Sequence, residues 1–145
     1  MDRTDYQILN ILQADCLATL KCIGDQVGLT APAVSERVRR MEEKGVIRDF
    51  RIDIDRARLD SGMTGFILVA LEPEKYNSFC EFCRNDPGII SHYHVIGVFN
   101  ALLRFAVRGT RELDELLSAI KRYGDSQTSV ELKTYFESKD IPMPE

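Results

Sequence analysis

Arg37, Arg39 and Arg40 stand close together on a stretch where Val34, Val38 and Met41 recur at i, i+4 and i+7. That spacing predicts a helix with one apolar stripe. Its other side carries Pro32, Ala33, Glu36, Arg39 and Arg40, with Arg37 at the flank. A guanidinium is a planar fork of donors that fits phosphate oxygens and guanine edges. The chemistry on offer is therefore recognition of a DNA duplex. The candidate contacts are Thr30, Ala33, Ser35, Glu36, Arg37, Arg39 and Arg40. Glu36 either accepts from cytosine or holds a neighbouring arginine, the second being the stronger reading. Thr30 and the adjacent helix N-terminus suit a phosphate.

Two other constellations compete for attention. His92 and His94 are two apart on an expected strand, so they share one side. Such a pair can share a metal or line a pH-responsive pocket. With no acid nearby, core or interface histidines are the better reading. Cys80 and Cys83 form one C-x-x-C, but a structural zinc site takes about four ligands. Cys16 and Cys22 supply no second close pair. Buried, reduced cysteines are expected, with no metal, no cofactor and no catalytic set.

The arginines need a frame, and the preceding residues supply one. Ile23 and Val27 share a face of a short helix. Gly24 lies between them, where a missing side chain lets another helix approach. Gly28 marks the turn, Leu29 is an apolar plug, and Thr30 is placed to cap the next helix with its hydroxyl. Pro32 costs little in a first turn. Ile8, Leu9 and Leu12 predict an earlier helix over 5–13, capped by Thr4 or Asp5, and the third helix should stop near Gly45. The result is a helix-turn-helix with a supporting helix.

The period then changes. Phe50, Ile52 and Ile54 alternate with charged residues, which predicts a strand with one wet face that must find a partner. A short helical turn over 56–59 and a Ser61-Gly62 linker follow. Strands are expected at 66–71 (buried on both faces), 89–96, 101–107 and 127–135, with helices at 74–84 and 110–123. The order β-α-β-β-α-β is the split βαβ of ferredoxin-like folds. Helices cover one side of such a sheet, so the other side calls for a second subunit. The fold expected is α+β: a winged-type helix-turn-helix three-helix domain over 1–49, a β-strand linker over 50–63, a ferredoxin-like βαββαβ sensing domain over 64–137, and a loose tail over 138–145.

The chain has 145 residues and a formal net charge of −4. From Glu36 to Arg48, however, five bases face three acids, a local excess of +2. One patch is thus aimed at phosphate while the remainder is repelled. Modest affinity per subunit follows, with assembly adding avidity. No apolar run approaches the roughly 20 residues that span a bilayer. No leader pattern opens the chain, so a cytoplasmic protein without a membrane partner is expected.

With these residues in place, the chain resembles the Lrp/AsnC family, the leucine-responsive and asparagine-type regulators. The opening Asp2-Arg3-Thr4-Asp5-Tyr6-Gln7-Ile8-Leu9 is similar to the family's D-x-x-D-x-x-I-L. Residues 37–48 resemble its recognition helix and exit, and the β-α-β-β-α-β unit its amino-acid-sensing domain. The resemblance implies a transcriptional regulator of double-stranded DNA that forms homodimers and often octamers. It also implies a small effector, usually an amino acid, that shifts assembly or DNA affinity. The effector residues implied are Gly97, Val98, Phe99 and Asn100, with His92 and His94 beside them. Members often place aspartate where Asn100 stands, which removes an anionic partner for an ammonium group. A different effector, weaker binding or none are all open, and Asn100→Asp is expected to alter effector response without altering folding. Two alternatives remain: a siroheme-decarboxylase-like enzyme using His92, His94 and Arg104, and an architectural DNA-binding protein with no ligand.

Overall fold

The computed structural model describes residues 1–59 and 62–144. It divides into two compact units, the first built from Met1–Asp53 with the chain from Phe136 onward, the second from Ile54–Tyr135. Of the expected Ser61-Gly62 linker, Ser61 lies outside the described residues.

The first unit is three helices, α1 (Arg3–Ala14), α2 (Leu20–Val27) and α3 (Ala31–Glu43). Ile8, Leu9, Ile23, Val34 and Met41 form its buried core. Each such burial contributes roughly 1.5–3 kcal/mol, so the core is small and its termini matter. The cap of α1 is Asp2, not Thr4 or Asp5. Asp2 accepts from the Asp5 amide at 3.0 Å, and the Asp5 carboxylate accepts from the Asp2 amide at 2.9 Å. This reciprocal capping box satisfies two otherwise orphaned donors. In α2 the Thr19 hydroxyl accepts from the Cys22 amide. Thr30 occupies the N-cap of α3, but its hydroxyl makes no capping bond, contrary to expectation.

The C-terminal segment was expected to be loose and is not. The Asn10 carboxamide donates to the Ile141 carbonyl at 3.0 Å and accepts from its amide at 2.8 Å. Gln13 donates to the Lys139 carbonyl at 2.7 Å, and Ile141 packs against the core of the unit. Asparagine mimics a peptide group, so an extended segment can dock on it without a sheet.

Residues 50–55 form no ladder, and no wing hairpin follows α3 among the described residues. Phe50 (43 % exposed), Ile52 (66 %) and Ile54 (48 %) have the alternation of a strand but join no ladder among the described residues. Alternation sets which side chains share a face; only a partner supplies the hydrogen bonds.

The second unit follows the expected order: β1 (Met63–Leu71), α4 (Tyr76–Asn85), β2 (Ile89–His94), β3 (Ala101–Val107), α5 (Thr110–Ile120) and β4 (Gly124–Val130). The sheet runs β2-β3-β1-β4, antiparallel throughout. Ile67, Val69, Leu71, Leu103 and Phe105 point to Phe79, Cys83, Leu116 and Ile120 of the two helices. The strand β1 is not buried on both sides: Phe66, on the face away from the helices, stays 41 % exposed.

Candidate nucleic-acid interface and sensing loop

The turn between α2 and α3 is built on two glycines. Gly28 ends α2 at φ +72°, a left-handed conformation that costs glycine little. Gly24 accepts the Leu29 amide at 2.9 Å, and a Cβ on Gly24 would stand 2.4 Å from the Leu29 carbonyl oxygen. The close approach expected there is thus made by the turn itself rather than by another helix. Leu29 packs against the core, as a plug should.

This frame holds Val34 and Met41 inward and leaves Pro32, Ser35, Glu36, Arg39 and Arg40 exposed. Thr30 is exposed and Ala33 half-buried. The three arginines have separate fates. Arg39 forks onto Glu36, with Nη2 to Oε1 at 2.7 Å and Nε to Oε2 at 3.1 Å, and also pairs with Glu43. The Arg39 guanidinium holds the Glu36 carboxyl below its usual range. The preferred role for Glu36, holding a neighbouring arginine, is therefore the one seen. Arg37 turns toward α1, where Nη1 donates to Asp2 and to Asp5, each at 2.7 Å. Arg40 makes no side-chain hydrogen bond or ion pair among the described residues. An exposed guanidinium with no hydrogen bond to give up, near Glu36 only through its charge, is the group on this helix most readily given to a phosphate or a base edge.

The sensing-loop candidates are not gathered into one site. Gly97 and Val98 are exposed and Phe99 half-buried. Asn100 is committed to the fold: its carboxamide donates to the Leu71 carbonyl at 2.9 Å and accepts from the Leu71 amide at 2.8 Å. His92 and His94 lie on the helix-covered side of β2. His92 stands edge-on to Phe79 and His94 edge-on to Tyr76, both at 5.3 Å between ring centres. The His92 Nε2 is buried and has no hydrogen-bond partner among the described residues. Burial, then the neighbouring His94, hold its imidazole below the ordinary pKa.

Asn100 and His94 do share a cleft of about 410 Å³ with Glu72, Tyr76 and Asn77. The last three escaped sequence reasoning, because nothing in a helix start announces the loop it will face. Asp2 and Asp5 escaped as partners of Arg37, although their i, i+3 spacing at a helix start was visible. Burial pushes the Cys83 thiol up to about 12, so it stays protonated. No group of three or more His, Cys, Asp or Glu among the described residues is arranged to hold a metal.

Comparison with known proteins agrees with this anatomy. Residues 1–42 match the AsnC-type helix-turn-helix domain, and residues 64–141 the Lrp/AsnC ligand binding domain. The chain is 30 % identical to the uncharacterized HTH-type transcriptional regulator YezC of Bacillus subtilis, over 92 % of this chain and 95 % of YezC. It is also 30 % identical to the HTH-type transcriptional regulator FL11 of Pyrococcus horikoshii, over 99 % and 97 % of the two chains. Among solved structures, B. subtilis LrpC superposes with a TM-score of 0.87 at 21 % identity, covering 96 % of this chain and 99 % of LrpC. The regulator NMB0573 of Neisseria meningitidis, solved as a complex with L-Met, also gives 0.87, at 22 % identity, covering 98 % and 96 %.

Proposed function

The chain belongs to the Lrp/AsnC family of transcriptional regulators, with a DNA-binding and a ligand-binding domain, and from that premise we propose a sequence-specific regulator whose assembly responds to an amino acid. It is not an enzyme: its relatives are transcriptional regulators, and the decarboxylase alternative is set aside.

The observation that carries the DNA reading is the exposed side of α3, where Ser35, Glu36, Arg39 and Arg40 all reach solvent. Helices one and two support α3 in the major groove. Two subunits read half-sites about one helical turn apart, or a multiple of it. Arg40 is the principal cationic contact, with Thr30, Ala33, Ser35 and Glu36 around it, and Arg39 released from its glutamates where a phosphate competes for it.

Assembly is supported by the face of the sheet turned away from the helices. Phe66 and Tyr93 stand 41 % and 57 % exposed there, with Leu68 and Leu102 between them in register. An apolar surface of this kind is stabilised by a second copy. Residues 50–54, which join no ladder among the described residues, offer a further edge for another chain. Homodimers that build toward octamers satisfy both demands.

The effector binds at the loop Gly97–Asn100 and the cleft beside His94. The L-Met complex of the neisserial relative supports looking first among amino acids. An effector shifts assembly only through unequal affinity for the assembled states. The test is thermal shift against the twenty amino acids beside sedimentation velocity. One amino acid that moves both melting and mass is expected. Binding to many duplexes with no response to any of the twenty would favour the architectural alternative.

A further inference from the structure

We infer that Arg37 is a positioning residue for DNA recognition and not a DNA contact: its guanidinium clasps the capping box of α1 and fixes the rotation at which α3 presents Ser35, Glu36 and Arg40. The inference rests on the reading that the exposed side of α3 meets DNA.

Arg37 joins both carboxylates of the α1 cap. Asp2 spends Oδ1 on the Asp5 amide and Oδ2 on Arg37. Asp5 spends Oδ2 on the Asp2 amide and Oδ1 on Arg37. Both bonds to Arg37 come from the same nitrogen, Nη1, whose two hydrogens are thereby used. Among the described residues Arg37 is the one arginine of α3 that bonds to another helix; Arg39 bonds along its own.

The surroundings make the clasp costly to open. Asp5 is only 5 % exposed. The arginine side chain is itself 23 % exposed. Swinging Arg37 out to a phosphate would strand a buried carboxylate. Burial pushes the Asp5 carboxyl upward, yet the Asp2 amide and Arg37 hold it below its usual range.

A directional tie matters because the other packing between these helices among the described residues is their shared apolar core. Ile8 of α1 meets Val34 and Met41 in the shared core, and apolar contact does not by itself select a rotation. Charge-assisted bonds at 2.7 Å do select one.

The clasp is tested with a duplex selected from a random-sequence pool by the unaltered protein, titrated by fluorescence anisotropy at several salt concentrations. The variants are Asp5→Asn and Arg37→Gln. Asparagine keeps an oxygen for the cap and removes the charge that Arg37 grips. Both variants are expected to weaken binding about tenfold while the slope of log K against log salt is unchanged, since no phosphate contact is lost. If Arg37 instead held phosphate, Arg37→Gln would lower the slope by about 1 per subunit. Asp5→Asn would then release the arginine and tighten binding. Either result overturns the inference. If Asp5→Asn fails to fold, Asp2→Asn at the exposed end of the clasp carries the same comparison. A melting double-mutant cycle over Arg37 and Asp5 reads the clasp without DNA. Additive losses there overturn the clasp itself, whereas a pool in which no duplex is enriched sinks only the DNA reading.

Discussion

Asn100 pairs with both backbone polar groups of Leu71, donating to the carbonyl at 2.9 Å and accepting from the amide at 2.8 Å. The Asn100 amide also donates to the Val69 carbonyl. The loop before β3 is thereby tied to the end of β1, and the side chain does the work of a peptide group.

Replacing Asn100 with aspartate removes the donor and sets a carboxylate against the Leu71 carbonyl. The cost expected is about 1–3 kcal/mol, the scale of a part-buried group left unsatisfied. The idea that Asn100→Asp alters effector response while leaving folding intact gives way to this geometry. Urea unfolding checks it: a stability equal to that of the unaltered chain would show the pairing to be idle.

His92 makes the second unit sensitive to acid. Burial disfavours its imidazolium, so its folded pKa lies below the free value of about 6.5. Protonation therefore favours the unfolded chain. The stability is fully present above about 6.5 and is lost as pH falls through the folded pKa. His92→Phe, packed against Phe79, is expected to remove this loss. Melting curves between pH 7 and pH 5 report it, and parallel slopes for the two chains would refute it.

Gly24→Ala is expected to destabilise the helix-turn-helix unit by about 1–3 kcal/mol, the usual scale of overpacking. The added Cβ would meet backbone, the Leu29 carbonyl oxygen at 2.4 Å, so no side chain can move aside. The readout is the melting of the first unit together with DNA affinity. Unchanged melting would mean that the turn relaxes freely.

Arg40→Ala is expected to weaken operator binding and to flatten its salt dependence, by about 1 in slope for each phosphate contact removed. Among the described residues its guanidinium makes no hydrogen bond or ion pair and only adds to the field that holds Glu36 ionised, so melting should move little. Equal affinity at two ionic strengths would remove Arg40 from the interface.

What could be read from the sequence follows from where each signal resides. The strand β3 is legible to the residue, because Ala101–Val107 is apolar but for Arg104 and flanked by loops. The alternation of Val130 and Leu132 predicts β4 too late, over 127–135. The true strand, Gly124–Val130, is mostly polar and owes its ladder to β1, whose Leu71 faces Gly124. Residues 50–54 show the reverse, an alternation that joins no ladder among the described residues. At the candidate site, the apolar stripe of α3 and the glycine turn were legible because both are local. The commitment of Arg37 to residues 32 and 35 positions away was not, nor was that of Asn100 to a backbone 29 positions away. Side-chain type announces a donor, and only the fold says which acceptor it meets.

Methylation interference at guanine N7, on a duplex selected by the full chain, tests the central claim most directly. Paired α3 helices in the major groove should give two clusters of interfering guanines, centred about one helical turn apart or a multiple of it, and Arg40→Ala should weaken both clusters. Binding indifferent to N7 methylation, or a single cluster bound by one subunit, would contradict the account.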